Sequence, residues 1–302
     1  MGGRGLRGSL TIRHAASDSS LTIYPFGATI TSYTIAGEEL LFTSTRAALD
    51  GSRPIRGGIP LAFPQFAAQG PLPMHGLART APWALAASGD GFVELALRDS
   101  EATRALWPHA FALTYRAEFA GPVLRTSLRV RNTGAAPFAF EALQHTYLAG
   151  GAGAVAADGR GALAVRGLQG ATFFAKTGGG EAVDGEAEVR LGGEVDRVYY
   201  APAGAGGVEV VGVGGRRGWD AVEVAREGRG AGGRAVPLDV VVWNPGPARA
   251  AAIADLGPED WREFVCVEPG RVAGASAADG VLGAGEEFTL TQTLTARKRG
   301  AA

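Results

Sequence analysis

Residues 52–79 read SRPIRGGIPLAFPQFAAQGPLPMHGLAR, with Arg53, Arg56, Arg79 and His75 set among prolines and glycines. Pro and Gly punctuate loops, so these side chains are expected on irregular backbone rather than on a helix or a plain strand. Fixed cations and an imidazole on rigid loops suit an anion or a polyhydroxylated ligand. Two further stretches place titratable groups on strands. In PFAFEALQHTYL, a period of two puts Phe138, Phe140, Ala142, Gln144 and Thr146 on one face. Glu141, Leu143, His145 and Tyr147 share the other. In EFVCVEPG, Phe264, Cys266 and Glu268 point away from Val265 and Val267, and Glu268 closes the strand before an expected Pro-Gly turn. A carboxylate there is partly desolvated, which raises its proton affinity toward that of a general base. Each group alone is weak evidence. A lone strand histidine is more often structural, a strand-end glutamate solvated, and an arginine near glycines a surface ion pair.

Other chemistries find little support. The four histidines, His14, His75, His109 and His145, show no HxH or HxxxH spacing, and one cysteine builds no zinc cluster. No metal or other cofactor is therefore expected. GGVEVVGVGG fits neither a phosphate-binding P-loop nor a dinucleotide-binding context, and no GxSxG nucleophile turn occurs. What remains is acid–base chemistry from His and Glu with Arg as anion anchor. The 302 residues carry 29 Lys plus Arg against 30 Asp plus Glu, a net charge of −1. That balance gives no global field for nucleic acid or an anionic membrane. The basic residues are almost all arginine, which suits bidentate anion contacts but also follows from a compositional bias toward Arg, Gly and Ala. The single cysteine, Cys266, allows no internal disulfide and agrees with a reducing, cytoplasmic setting. The Arg-rich start leaves organellar targeting open, and no apolar run of membrane-spanning length occurs.

These groups need a scaffold, and the chain spells one in strands. SLTIYPFGATITSYTI alternates around a Pro-Phe-Gly turn, and ALTYRAEFA and VLRTSLRVRNT meet at Gly121-Pro122 as a hairpin. RVYYAP, GVEVVGVGG, WDAVEVARE, LDVVVWNPG and GEEFTLTQTLTAR add more. Helical signal is confined to SEATRALWP, with Ser100 as N-cap, and one turn in GPEDWREF. The Gly/Ala-rich stretches 149–163 and 226–236 read as loop or insertion. Many short strands with turns between them indicate an all-β sandwich or barrel. No linker divides the chain, so residues 1–302 are expected to form one domain, with 1–9 as a ragged terminus.

Several motifs then align in order: RGGIPLAFPQF, HGLAR followed by Trp83, LQHTYL, DRVY, VVWNP and FVCVEPG. In these the chain resembles the glucose-6-phosphate 1-epimerase family, hexose-6-phosphate mutarotases of the aldose 1-epimerase superfamily, over nearly its whole length. The resemblance implies a large antiparallel β-supersandwich with few helices. It implies interconversion of the α and β anomers of a hexose 6-phosphate without cofactor or metal, and a monomer. By motif, the family's catalytic glutamate falls on Glu268 and its catalytic histidine on His145. Substrate contacts fall on Arg56, His75, Asp196 and Gln65, and phosphate contacts on Arg79 and Arg53.

Mutarotation opens a hemiacetal, turns the aldehyde carbon and recloses the ring on its other face. Glu268 would take the anomeric proton, and His145, starting protonated, would protonate the ring oxygen. The chain departs from the family pattern at Gln144, where a smaller or apolar residue is expected, and at Thr80, where a second cation would help. An aldose 1-epimerase for unphosphorylated sugar and a non-catalytic carbohydrate binder on the same fold are the alternatives.

Overall fold

A computed structural model describes residues 8–202, 207–213, 219–272 and 280–298; residues 1–7 of the expected ragged terminus lie outside them. Every ladder between its strands is antiparallel, and two large sheets dominate. The larger, ten-stranded, centres on Trp219–Arg229, Glu287–Lys298, Val123–Asn132 and Phe111–Ala120. The eight-stranded sheet has Val195–Tyr199, Asp239–Asn244, Phe264–Arg271 and Ala142–Gln144 side by side at its centre.

Alternation explains the larger sheet. Phe111, Leu113, Tyr115, Ala117 and Phe119 are buried in turn, and Leu124, Leu128 and Val130 answer from the next strand. Each fully buried leucine or phenylalanine contributes about 1.5–3 kcal/mol through removal of apolar surface from water. The hairpin closes at Gly121-Pro122, with Ala120 opposite Val123 and Gly121 at a φ of +53°. The smaller sheet differs at its centre, where Asp239–Asn244 and Phe264–Arg271 are buried at every residue. One face meets the other sheet, and the other lies under a layer of loops. That second buried face is where the titratable groups gather.

Gln144 shows how the two sheets are joined. Its side chain points between them, away from His145, and its Oε1 accepts from Thr126 Oγ1 at 2.6 Å and Tyr115 Oη at 3.2 Å. Its Nε2 donates to the carbonyls of Thr126 and Leu290. Two residues on, Thr146 Oγ1 donates to Gln292 Oε1 at 2.8 Å. The chain is thus anchored by buried polar contacts on both sides of His145, which accounts for an amide where an apolar residue is expected.

Three expectations are corrected. Glu268 does not precede a turn: the strand continues through Pro269 and Gly270 to Arg271. A Cβ on Gly270 would meet Leu143 Cβ at 2.9 Å, so glycine there admits a close neighbouring strand rather than a bend. The 226–236 stretch is not a loop throughout, because the Trp219–Arg229 strand runs well into it, held by its ladder to Glu287–Lys298. Beyond the anticipated helix at Glu101–Leu106, capped by Ser100, a short helix forms at Gly246–Ala250 just after Pro245. Among the described residues, no helix is long and apolar enough to cross a membrane.

Gln144→Leu should strand at least one of the buried groups that Gln144 satisfies, at a cost of about 1–3 kcal/mol. Urea unfolding of parent and variant reads this directly. Equal midpoints and slopes would contradict the structural role given to the amide.

Candidate active site

His145 and Glu268, far apart in the sequence, meet because they lie opposite one another on neighbouring strands. Ala142–Gln144 and Tyr147–Ala149 both pair with Phe264–Arg271 in one unbroken register, which sets His145 against Glu268. Between the two segments His145 N donates to Pro60 O at 2.9 Å on the other side, Thr146 N turns back to Gln144 O at 3.0 Å, and Val267 N donates to Thr146 O at 3.1 Å. The imidazole of His145 consequently emerges beside Glu268, with Nδ1 3.3 Å from Oε1. The carboxylate side chain is 1% exposed and the imidazole 13%. Neither His145 Nδ1 nor Glu268 Oε2 has a hydrogen-bond partner among the described residues. Aromatic rings fix the imidazole. Tyr147 stacks on it at 4.8 Å with an 11° interplanar angle, and Trp243 meets it edge-on at 5.8 Å.

Both groups open into one cavity of about 490 Å³, whose walls also carry Arg56, His75, Asp196 and Lys176. Arg56 follows the loop before two glycines. A Cβ on Gly58 would lie 1.9 Å from Ile30 O, so only glycine lets this loop press against the Thr29–Ile35 strand. The Arg56 guanidinium donates from Nε to Asp255 Oδ1 at 3.1 Å and from Nη1 to Tyr147 Oη at 3.2 Å. Burial works against its charge, but Tyr147 and Asp255 outweigh that and hold it firmly cationic. His75 has a left-handed backbone, φ +63°, unusual for a residue with a side chain. Its Nδ1 accepts from Ala67 N at 3.4 Å, and its ring lies 5.5 Å from that of His145. Asp196 sits opposite Trp243 in the sheet, with Lys176 Nζ 3.7 Å from its Oδ1.

The remaining expected residues stand differently. Arg79 does not line the cavity; its Nη2 donates to Met74 O at 2.7 Å, and burial followed by the nearby Arg56 lowers its pKa to about 10. It contributes its charge from behind the wall. Arg53 is exposed on the preceding loop, outside the cavity. Gln65 is buried, and its amide bonds to Ala67 O, Leu72 O and Leu72 N. It shapes the loop that carries Ala67 and His75 and does not line the cavity. Lys176, Asp255, Arg249, Trp243 and Tyr147 escaped attention as site residues. The last two lie within motifs read as landmarks, VVWNP and LQHTYL, whereas Arg249 lies in an unforeseen helix and Asp255 follows it.

The electrostatics reverse one expectation. Desolvation is the largest influence on each buried acid and base here. It pushes Glu268 well up, with Lys176 opposing and Asp196 adding to the rise. It pushes His145 well down, helped by His75, Arg56 and Arg79. His75 falls to about 3 by burial and then by Arg79, Lys176 and Arg56. Both shifts run against an ion pair in the ligand-free protein and favour a protonated carboxyl and a neutral imidazole over the protonated His145 expected above. Cys266 brings its sulfur within 4.8 Å of the ligand atoms of His145 and Glu268, a trio that could hold a soft metal ion. Burial, then Glu268, pushes the thiol's pKa well up, which favours its non-ligating protonated form.

The fold is two large antiparallel sheets, with a buried His–Glu pair in the smaller one. The description "Aldose 1-epimerase" fits residues 8–159. A protein of Cenchrus ciliaris named "Putative glucose-6-phosphate 1-epimerase" is 30% identical over 277 residues, 86% of this chain and 78% of that protein. An Escherichia coli K12 protein of the same name is 31% identical over 251 residues, 80% of this chain and 76% of its own. The crystal structure of a "putative mutarotase (YeaD)" from Salmonella typhimurium superposes with a TM-score of 0.76 at 28% identity, covering 98% of this chain and 93% of that one. The chain belongs to the aldose 1-epimerase family and is an epimerase.

In the ligand-free protein near pH 6, nitrogen-detected NMR should show neutral ring patterns for both His75 and His145. Imidazolium shifts for either at that pH would contradict the electrostatics above.

Proposed function

We propose that this protein interconverts the α and β anomers of a hexose 6-phosphate, with Glu268 and His145 as its acid–base pair. The observation that carries the reading is the 3.3 Å approach of the two groups in one cavity whose walls bear Arg56 and Lys176. The two oxygens of an anomeric centre share one carbon, so a base and an acid this close can address both. Glu268 removes the anomeric hydroxyl proton while His145 protonates the ring oxygen, and the roles exchange on reclosure. Opening requires a carboxylate and an imidazolium. The dianion of a bound phosphate offsets the cations of Arg56 and Arg79, which otherwise keep a proton off His145. After opening, the carboxyl carries the proton and the imidazole is neutral, the distribution that burial favours. The site therefore suits the aldehyde intermediate without rearrangement. His75 and Asp196 orient sugar hydroxyls, and Arg56, backed by Arg79, anchors the phosphate. The names of the relatives support the same substrate class.

A second reading, an epimerase for unphosphorylated aldoses, rests on Asp255. That carboxylate already pairs with Arg56 and lessens its need for an anion.

Anomer exchange measured by NMR on glucose 6-phosphate and on glucose separates the two. Glu268→Gln and His145→Asn should each lose about 10²–10⁴-fold in kcat. Arg56→Met should raise KM for the phosphorylated sugar about tenfold or more, the worth of one charged hydrogen bond, with little effect on glucose. Preference of the parent for glucose would overturn the phosphate assignment, and full activity of Glu268→Gln would overturn the mechanism.

A further inference from the structure

Only two of the 29 basic residues are lysines, Lys176 and Lys298. One of them lines the cavity. In a chain that otherwise uses arginine almost everywhere, an ammonium at this place calls for a chemical reason. Lys176 follows directly on the Thr172–Ala175 strand, and its backbone N–H donates to Asp196 O at 2.9 Å, so the two residues are locked side by side. Its Nζ lies 4.0 Å from the centre of the Phe66 ring and 3.7 Å from Asp196 Oδ1. The ammonium places one compact charge between ring and carboxylate. A guanidinium there would stack flat on the ring and present its donors in a fixed fork, which changes how the Asp196 carboxylate is held.

Three acidic groups feel the ammonium. Asp196 of Val195–Tyr199 pairs with it directly, and its charge also acts on Glu268 of Phe264–Arg271 and on Glu141, just before Ala142–Gln144. His75 is the titratable base nearby on the loop side, and Arg249 and Glu194 lie beyond Asp196. Arg56 is already held by Asp255 and Tyr147, while Lys176 acts on both Asp196 and Glu268.

We propose that Lys176 is a positioning residue of the epimerase site, fixing the Asp196 carboxylate for a sugar hydroxyl and keeping negative charge on Glu268 when that group must accept a proton. This rests on the assignment of Glu268 as base. The ammonium opposes the pull of burial on Glu268, as Asp196 alone would reinforce it. Without Lys176, the half-buried Asp196 still raises the proton affinity of the buried Glu268 while the ammonium that opposes it is gone, and the base spends more of its time protonated.

The test uses the full chain and anomer exchange of glucose 6-phosphate as a function of pH, on Lys176→Met, Lys176→Arg and Glu268→Gln, each checked for folding by thermal melting. Lys176→Met should move the acidic limb of kcat to higher pH, with a roughly tenfold loss near pH 6, the effect of one close opposite charge. Its KM should also rise. Lys176→Arg keeps the charge, so its acidic limb should match the parent while its KM rises. A Lys176→Met profile that superimposes on the parent overturns the proposal. So does a parental KM in Lys176→Arg, which remains readable if the methionine variant fails to fold. If Glu268→Gln exchanges anomers as fast as the parent, the base assignment falls instead, which separates the two failures.

Discussion

The site depends on the register of one ladder. The pairing of Ala142–Gln144 and Tyr147–Ala149 with Phe264–Arg271 sets His145 opposite Glu268, and directly opposed cross-strand residues share a face, so the imidazole rises beside the carboxylate. That register is held from beneath by Gln144 and Thr146, whose side chains are bonded between the two sheets. It is held from above by the stacked Tyr147 and the edge of Trp243. An acid–base pair works when its geometry is fixed before substrate arrives, and here the sandwich core does the fixing.

Burial has two consequences that pull against each other. It holds the groups rigidly and excludes water, and it also penalises their charged forms. The protein answers with a ring of cations, Arg56, Lys176 and Arg79, placed so that an incoming anion meets opposite charge. The same cations lower the proton affinity of His75 and His145. On the proposed reading, a substrate that carries its own negative charge relieves that repulsion on binding, so its phosphate would act on the acid–base pair as well as on affinity.

Much of this was legible in the chain. Pro and Gly around Arg56 and His75 marked irregular backbone, and Gly121-Pro122 marked a hairpin, because backbone freedom and rigidity are written residue by residue. The period-two reading of 138–147 separated Gln144 from His145 correctly, since alternation is a property of any extended chain. The glycines misled where they serve close approach instead of turning, as at Gly270. Lys176, Asp255 and Arg249 went unread because their relevance is purely tertiary: no local pattern says that a residue after one strand faces a carboxylate on another. Arg53 and Gln65 shared a motif with site residues, yet proximity in sequence on a loop does not fix which side chains turn inward. The protonation of His145 also needed coordinates, since it depends on burial and on the approach of His75, Arg56 and Arg79.

The central claim is that Glu268 and His145 form a buried pair whose proton rests on the carboxyl until a sugar phosphate enters. Infrared difference spectroscopy reads it most directly. At neutral pH the ligand-free protein should show a protonated carboxyl band that is missing in Glu268→Gln, and saturating glucose 6-phosphate should abolish that band in the parent. A parent without such a band, or one whose band is unmoved by the sugar phosphate, would contradict the account.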